Sequence, residues 1–302
     1  MKKKILIIGG TGYLGYSLSK HCININWNVW SISKKKPKKH RYVSGVKYKY
    51  CDIFNKKKLM SLLKENFDYV VNFGGYVDHI NIKRTFNTHF IGVKNLVALF
   101  KSKNIKSFIQ IGSSSEYGTL KSPHHENSKC SPKMIYGKSK YKATKFLLKE
   151  FKNNKFPVTI LRFYQVYGPG QDENRFIPII INSCLKKKNF PCSNARQFRD
   201  FLYIDDAIRA VMKCLKHKES KGKIFNISTG KPEQLKKIIF YIKRKLKGGN
   251  PLFGKIKLRK DELKYVYPST KLAWKTINWK YQTPLYLGLK KTMNFYKNDF
   301  VK

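Results

Sequence analysis

The chain has 302 residues, 41% of them apolar, which is enough for one large domain or two closely packed ones. No apolar run approaches the roughly 20 residues that a membrane helix requires, and the basic start is followed by only a few apolar residues. We therefore expect a cytoplasmic protein with no membrane partner. The six cysteines are scattered without ligand-like spacing, which indicates neither a disulfide framework nor a metal site.

The charge is strongly positive, with 64 Lys and Arg against 17 Asp and Glu and a formal net charge of +47. Such a charge could direct the chain to nucleic acid or to another polyanion. The lysines are spread along the whole chain, however, and the abundance of Lys, Asn, Ile, Tyr and Phe is typical of an AT-rich genome. A nucleic-acid partner is therefore the disfavoured interpretation.

Short apolar runs alternate with helix-like segments through the first half, a pattern that predicts βαβ units and a parallel sheet. A helix is predicted over 82–104 from apolar residues at helical spacing, and after Gly168 the order changes to a helix over 175–188 and a strand over 223–228. The fold predicted is α/β, a Rossmann-like doubly wound parallel sheet with a smaller C-terminal lid. The predicted strands of the first half are 4–9, 28–33, 46–51, 68–74, 106–112 and 157–164.

The segment "IIGGTGYLGYSL" places glycines in a GxxGxxG pattern between the first strand and the first helix. Glycine is needed there because the backbone turns sharply and lets a pyrophosphate approach the helix N-terminus. The pattern predicts a dinucleotide site. Its cofactor-binding residues are Gly9, Thr11, Gly12, Tyr13, Leu14 and Gly15.

The end of the second strand, "VWSISKKKPKKHR", has no acid to hold the ribose hydroxyls of NAD. Ser31, Ser33, Lys34 and Lys35 would instead suit a 2′-phosphate, because hydroxyl and ammonium groups donate to its oxygens. NADP(H) is therefore favoured over NAD(H). The alternative is that the lysine run is a solvated loop of a basic chain.

Tyr136 and Lys140 lie four residues apart in "MIYGKSKYKATKFLLKEF", hence on one face of a predicted helix. A nearby ammonium favours the phenolate, so we expect it to lower the pKa of the tyrosine from about 10. Such a tyrosine can exchange a proton with a carbonyl or carbinol oxygen. YxxxK alone is common, but here it follows a glycine loop and a serine cluster.

With these motifs the chain resembles the extended short-chain dehydrogenase/reductase family, the NAD(P)-dependent epimerases, dehydratases and reductases of nucleotide sugars. The resemblance covers nearly the whole chain. It includes "GGTGYLG", "CDIFN", "YGKSK", "LRFYQVYGPGQ", "RFIPIII", "RDFLYIDDAIRAV", "KIFNISTGKP" and "LYLGLKKTMNFYK".

The resemblance implies a role for further residues and a homodimer. It makes Tyr136 the proton donor or acceptor and Lys140 its partner and a ligand of the nicotinamide ribose. It implies an NAD(P)-binding domain over 1–168, to which 199–230 return, and a substrate-binding subdomain over 169–198 and 231–302. The remaining implied residues are Asp52, Ile53, Phe73 and Gly74 for the cofactor, and Ser114, Gln165, Phe176 and Arg199, the last at a nucleotide diphosphate, for the substrate.

The chain departs from the family pattern at several positions that bear on the substrate. Gln165 and His89 stand where relatives usually carry Asn, and Gly74 and Gly75 are followed by "YVDH". These departures affect the identity of the sugar and leave the fold prediction unchanged.

The stretch "IGSSSEYG" bears on the reaction. Counting back from Gly118 as the family pattern implies assigns the catalytic hydroxyl to Ser113, and Ser115 occupies the position where dehydratases carry an acid. Glu116 falls one place later, so dehydration is disfavoured. We expect NADP(H)-dependent reduction of a nucleotide-linked 4-ketosugar for surface polysaccharide or deoxysugar synthesis. The alternatives are an NAD-dependent C4 epimerase and, from another class, an atypical member that binds RNA.

Overall fold

The computed structural model describes residues 2–76, 80–258 and 262–300. Helices and strands alternate through its first two thirds. The strands are β1 (Lys4–Ile8), β2 (Asn28–Ser33), β3 (Lys47–Tyr50), β4 (Tyr69–Asn72), β5 (Ser107–Ser113), β6 (Val158–Phe163), β7 (Gln165–Tyr167), β8 (Asn189–Pro191), β9 (Phe198–Arg199), β10 (Phe201–Tyr203), β11 (Ile224–Ile227), β12 (Glu233–Gln234), β13 (Asn250–Leu252) and β14 (Tyr265–Val266). The α-helices are α1 (Tyr13–Asn24), α2 (Lys56–Leu62), α3 (Ile82–Phe86), α4 (Gly92–Phe100), α5 (Ile135–Asn154), α6 (Phe176–Leu185), α7 (Ile204–Lys216), α8 (Leu235–Leu246), α9 (Lys271–Ile277) and α10 (Leu285–Phe300).

Seven parallel strands form the central sheet in the order β3-β2-β1-β4-β5-β6-β11. The order reverses between β1 and β4, so the loops that follow these two strands open a crevice at the carboxyl edge. Each of the six strands predicted in the first half is present, with its ends within two residues of the prediction. The predicted α/β doubly wound fold is confirmed.

Alternation along β1 explains why helices cover both faces. Ile5 and Ile7 pack into one core with α1 and α7, while Leu6 and Ile8 pack into a second core with α2, α4 and α5. Strands buried on both faces have continuous apolar runs, as "ILII" shows. Helices α6, α8 and α10 of the C-terminal part extend the first of these cores.

The predicted helix over 82–104 forms as α3, a π-helical turn over Asn87–Ile91, and α4. A π turn inside a helix is rare and is found mostly at functional sites. This turn carries His89, one of the departures from the family pattern. Of the "YVDH" segment, residues 77–79 lie outside the described residues.

Smaller pairings organise the rest: β7 with β10, β8 with β13, and β9 between β12 and β14. The chain returns to the main sheet at β11. The division into an NAD(P)-binding domain and a substrate-binding subdomain remains a prediction. Within the described ranges no helix is both long enough and apolar enough to cross a bilayer.

Candidate active site

The glycine loop forms a tight cradle between β1 and α1. Gly9 has φ +77°, and the Gly12 amide donates to the Gly9 carbonyl at 3.0 Å. A Cβ at Gly15 would lie 2.2 Å from that carbonyl oxygen, so no larger residue fits there. No side chain in the described parts of the chain caps the start of α1 at Tyr13, and its first turn has no acid. The free N–H groups therefore fit the phosphates of a dinucleotide.

Two serines of β2 brace this loop from below. A Cβ at Gly10 would lie 2.3 Å from the Ser31 hydroxyl, and the Ser33 hydroxyl accepts from the Thr11 amide at 3.3 Å. Both serines are buried. The Ser31 hydroxyl is buried beneath the loop, so the expectation that it donates to a 2′-phosphate is wrong. The Ser33 hydroxyl already accepts a hydrogen bond from the loop.

Exposed charges remain at the end of β2. The Lys34 ammonium lies 3.5 Å from the Asp52 carboxylate, and its side chain is 52% exposed. Lys35 is exposed as well. The adjacent Ile53 is buried, and the Asn95 side chain donates to its carbonyl at 3.0 Å. This end of the crevice thus combines a buried apolar wall with solvated charges.

The end of β4 closes the loop from the other side. A Cβ at Gly9 would lie 3.1 Å from the Phe73 carbonyl carbon, and the Gly74 amide donates to the Asn72 side chain at 2.9 Å. Phe73 and Gly74 therefore lie beside the glycine loop, where the resemblance places cofactor contacts.

The serine run makes a capping box at the end of β5. The Ser113 hydroxyl accepts from the Ser115 amide at 3.1 Å, and the Glu116 carboxylate accepts from the Ser113 amide at 2.9 Å. This reciprocal pairing holds a short helix over Ser114–Tyr117 in place. Ser113 is thus fixed at the strand end by its own backbone and side chain.

Glu116 is fully buried and saturated with partners. Its carboxylate pairs with the Arg162 guanidinium at 2.9 Å and accepts from the Thr144 hydroxyl at 2.8 Å. The carboxylate oxygens are thus occupied by a buried guanidinium, a hydroxyl and a backbone amide, all of which donate to them. Sequence reasoning missed this ion pair. The signal that could have found it was the acid in "SSSEYG" together with the Arg inside the apolar strand "PVTILRFY".

Tyr136 meets Ser113 at the first turn of α5. The two side chains are hydrogen bonded, and the Lys140 ammonium lies 5.9 Å from the centre of the phenol ring. Burial raises the pKa of Tyr136 above 10.0, and this effect outweighs the lowering by the Ser113 hydrogen bond. The expected lowering of this pKa is therefore wrong. His89 contacts the same ring edge-on, at 5.0 Å between ring centres.

Lys140 is 5% exposed, and its ammonium donates to the Ile111 carbonyl at 2.7 Å. Burial lowers its pKa from 10.5 to about 8. The structure therefore brings Ser113, Tyr136 and Lys140 together where β5 and α5 meet.

Comparison with known proteins assigns this arrangement to a family. The model of the NAD dependent epimerase/dehydratase family matches residues 5–228, most of the chain. The chain belongs to the NAD-dependent epimerase/dehydratase family. The family resemblance inferred from the motifs is confirmed, and the chain is that of an enzyme.

Members of the family match this chain along its whole length. A dTDP-D-glucose 4,6-dehydratase of Homo sapiens is 26% identical over 332 aligned residues, covering 99% of this chain and 91% of its own. A UDP-glucose 4-epimerase of Thermotoga maritima, solved with UDP-glucose, is 21% identical over 98% of this chain and 99% of its own, with a TM-score of 0.92. A dTDP-glucose 4,6-dehydratase of Bacillus anthracis in complex with NAD is 20% identical over 98% and 97%, with a TM-score of 0.86.

Three of the predicted substrate residues of this epimerase/dehydratase chain lie around the start of β10: Gln165 pairs with Phe201, its amide donates to the carbonyl of Asp200, next to Arg199, and Phe176 contacts Phe201. Ser114 begins the short helix beside Ser113, Gln165 is exposed, and the Phe176 ring packs 5.9 Å from that of Phe201. Arg199 pairs with the Glu262 carboxylate and donates to the carbonyls of Phe198 and Leu263. A diphosphate would have to exchange those bonds. The homodimer remains a prediction.

Two further groups escaped the sequence reasoning. His124 stacks on Tyr117 at 4.4 Å between ring centres and lies 2.9 Å from the Tyr164 hydroxyl, beneath the serine loop. Arg41 is buried in the run "SKKKPKKHR", where no pattern separates it from its exposed neighbours. Across the described ranges no group of three or more His, Cys, Asp or Glu is placed to hold a metal, and all six cysteines are free thiols.

Proposed function

We propose that this protein is an NADP(H)-dependent reductase acting at C4 of a nucleotide-linked 4-ketosugar. One observation carries the proposal: Tyr136 is hydrogen bonded to Ser113 beside the buried Lys140, while the only acid of the serine loop is held in an ion pair. These are the groups that carbonyl reduction needs, and the loop supplies no group for elimination of water.

Each side chain has a chemical task. The glycine loop would hold the dinucleotide, and a reduced nicotinamide supplies the hydride. Tyr136, whose raised pKa keeps it protonated, donates a proton to the carbonyl oxygen, and the Ser113 hydroxyl donates a second hydrogen bond to that oxygen. The Lys140 ammonium stabilises the phenolate left on Tyr136.

Dehydration requires a further acid and base to remove a proton at C5 and to protonate the departing hydroxyl. Ser115 is exposed and carries no charge, and Glu116 points its oxygens at Arg162, Thr144 and the Ser113 amide. We therefore infer that this chain does not catalyse the reaction named for its human relative.

The choice of NADP(H) rests on the exposed ammonium groups of Lys34 and Lys35 at the end of β2. A 2′-phosphate would meet them without an acid at the position where NAD enzymes hold the ribose. The second candidate function is a C4 epimerase with bound NAD. The 3.5 Å pair of Lys34 with Asp52 favours it, because that pair neutralises one of the two cations.

The proposal is tested by following the absorbance of NADPH and, separately, NADH with a panel of nucleotide-linked 4-ketosugars. We expect stoichiometric oxidation of NADPH by at least one of them, with NADH the poorer donor. Interconversion of C4 epimers without any net oxidation would show the epimerase instead. A higher kcat/KM with NADH would overturn the cofactor assignment alone.

A further inference from the structure

Arg41 is anchored unlike any of its neighbours in the loop between β2 and β3. The lysines around it are exposed, whereas Arg41 is 4% exposed. Its guanidinium donates to the carbonyl of Gly170, 129 residues away in sequence, at 2.8 Å. It also pairs with the Asp172 carboxylate at 3.0 Å. We call this contact between Arg41 and the turn over 168–172 the clasp.

The clasp lies against the start of α1. The Arg41 guanidinium is 5.8 Å from the centre of the Tyr13 ring, and Tyr13 is the first residue of that helix. A Cβ at Gly168 would lie 2.7 Å from the Tyr13 hydroxyl. Tyr13 is therefore held between Arg41 and the turn, directly at the helix end that would bind the dinucleotide phosphates.

The turn is fixed in its own part of the molecule as well. The Tyr296 hydroxyl of α10 donates to the Gln171 carbonyl at 2.7 Å, and the Asp172 carbonyl accepts from the Arg175 amide just before α6. The clasp thus joins the loop that follows β2 to the first segment of the predicted substrate-binding subdomain.

Breaking the clasp would remove the anchor of the first half of that loop, whereas Val43 and Val46 in its second half are packed in the core. A guanidinium this buried is costly without its carboxylate, so removing either partner leaves Arg41 uncompensated or the turn without its anchor. Lys34 and Lys35 lie at the start of the same loop, which also runs on from Ser33, the support of the glycine loop. Movement there would disturb the support that Ser33 gives the glycine loop and the contact of Arg41 with Tyr13 at the start of α1.

We propose that Arg41 is a positioning residue for the dinucleotide, holding residues 34–41 against Asp172 and so slowing release of the cofactor. The inference rests on the cofactor site of the proposed function and not on the sugar reaction. A residue that merely stabilised the fold would change the melting temperature without a matching change in cofactor release.

The test is a double-mutant cycle read out by stopped-flow displacement of bound reduced dinucleotide, followed by its fluorescence. Arg41→Gln and Asp172→Asn should each raise the dissociation rate constant by roughly five- to tenfold, and the double variant no further than the larger single effect. Lys38→Gln is the matched control. Lys38 lies 3.6 Å from the same carboxylate but is 65% exposed, so we expect a change within about twofold.

Single variants within about twofold of the parent, or effects that add in the double variant, would overturn the clasp. Arg41→Lys, which keeps the charge but cannot reach both partners in the same geometry, guards against a folding defect and should fall between parent and Arg41→Gln. The measurement contains no sugar. If the parent protein binds dinucleotide but reduces no 4-ketosugar, the proposed function is wrong. The dissociation rate constants still test the clasp in that case.

Discussion

The two ends of the proposed cofactor site differ in how much water they admit. At the catalytic end, Lys140 is 5% exposed and its pKa falls to about 8. At the other end, Lys34 is half-exposed beside Asp52 and keeps its solvent contact. At the catalytic end, burial raises the free-energy cost of each charge and strengthens its interactions with neighbouring groups. At the open end, solvent screens the charges. The effects of substitutions at the two ends should therefore differ in size.

The largest effect is expected at the catalytic end, from Tyr136→Phe. Loss of the phenol removes the proton donor bonded to Ser113, so kcat for ketone reduction should fall by about 10²–10⁴-fold. Tyr141→Phe, five residues along the same helix, is the control and should retain the parent rate. A Tyr136→Phe enzyme as fast as the parent would show that the proton comes from elsewhere.

Glu116→Gln tests how much a buried ion pair contributes to the free energy of unfolding. The substitution leaves the Arg162 guanidinium buried without its counter-charge, so the free energy of unfolding should fall by about 3–5 kcal/mol. Glu219→Gln removes a carboxylate that is 73% exposed and lies 4.0 Å from the Lys223 ammonium, and it should cost less than about 1 kcal/mol. Denaturant unfolding measures both. Equal losses would contradict the contrast between buried and solvated pairs.

Lys140→Met should make the protein more stable while abolishing activity. The folded pKa of Lys140 lies below its unfolded value, so the unfolded state binds more protons between about pH 8 and 10.5. At pH 7 the penalty is complete, and its removal should raise the free energy of unfolding by roughly 1–3 kcal/mol.

The gain from Lys140→Met should shrink as pH rises through that window, because the wild-type lysine then becomes neutral. Lys138→Met, at an exposed position on the same helix, is the matched control and should change the free energy of unfolding little. A gain independent of pH would mean that burial is not what lowers the pKa of Lys140.

The smallest effect is expected at the open end. Lys34→Gln should weaken NADPH binding by about two- to fivefold and leave NADH unchanged, with the difference shrinking as salt is added. Lys36→Gln, also exposed in the same loop, is the control. Titration of both dinucleotides at low and high salt measures it, and an equal loss for NADH would remove Lys34 from 2′-phosphate recognition.

The same contrast explains what the sequence could predict. Apolar periodicity and the glycine spacing are local signals, and they located the strands of the central sheet, the cradle at Gly9 and the helix that carries Tyr136. They could not show that Ser31 lies beneath the glycine loop or that Arg41 reaches Asp172. Those facts depend on contacts between distant segments.

The pKa of Tyr136 is a similar case. The spacing of Tyr136 and Lys140 correctly placed both on one face, but desolvation by the surrounding protein, which no spacing reveals, decides the sign of the shift. For Glu116, counting positions along the loop predicted only that it stands one place after the position of a dehydratase acid. Its pairing with Arg162 required the fold.

In the proposed reaction, hydride passes from the dinucleotide to C4 of the sugar and remains there. The most direct measurement uses NADPH deuterated at the transferring position of the nicotinamide, with mass and NMR analysis of the sugar nucleotide formed from a 4-ketosugar. We expect one deuterium at C4 of the product for each NADPH oxidised. A product whose C4 carries no deuterium, with the dinucleotide unconsumed, would contradict it.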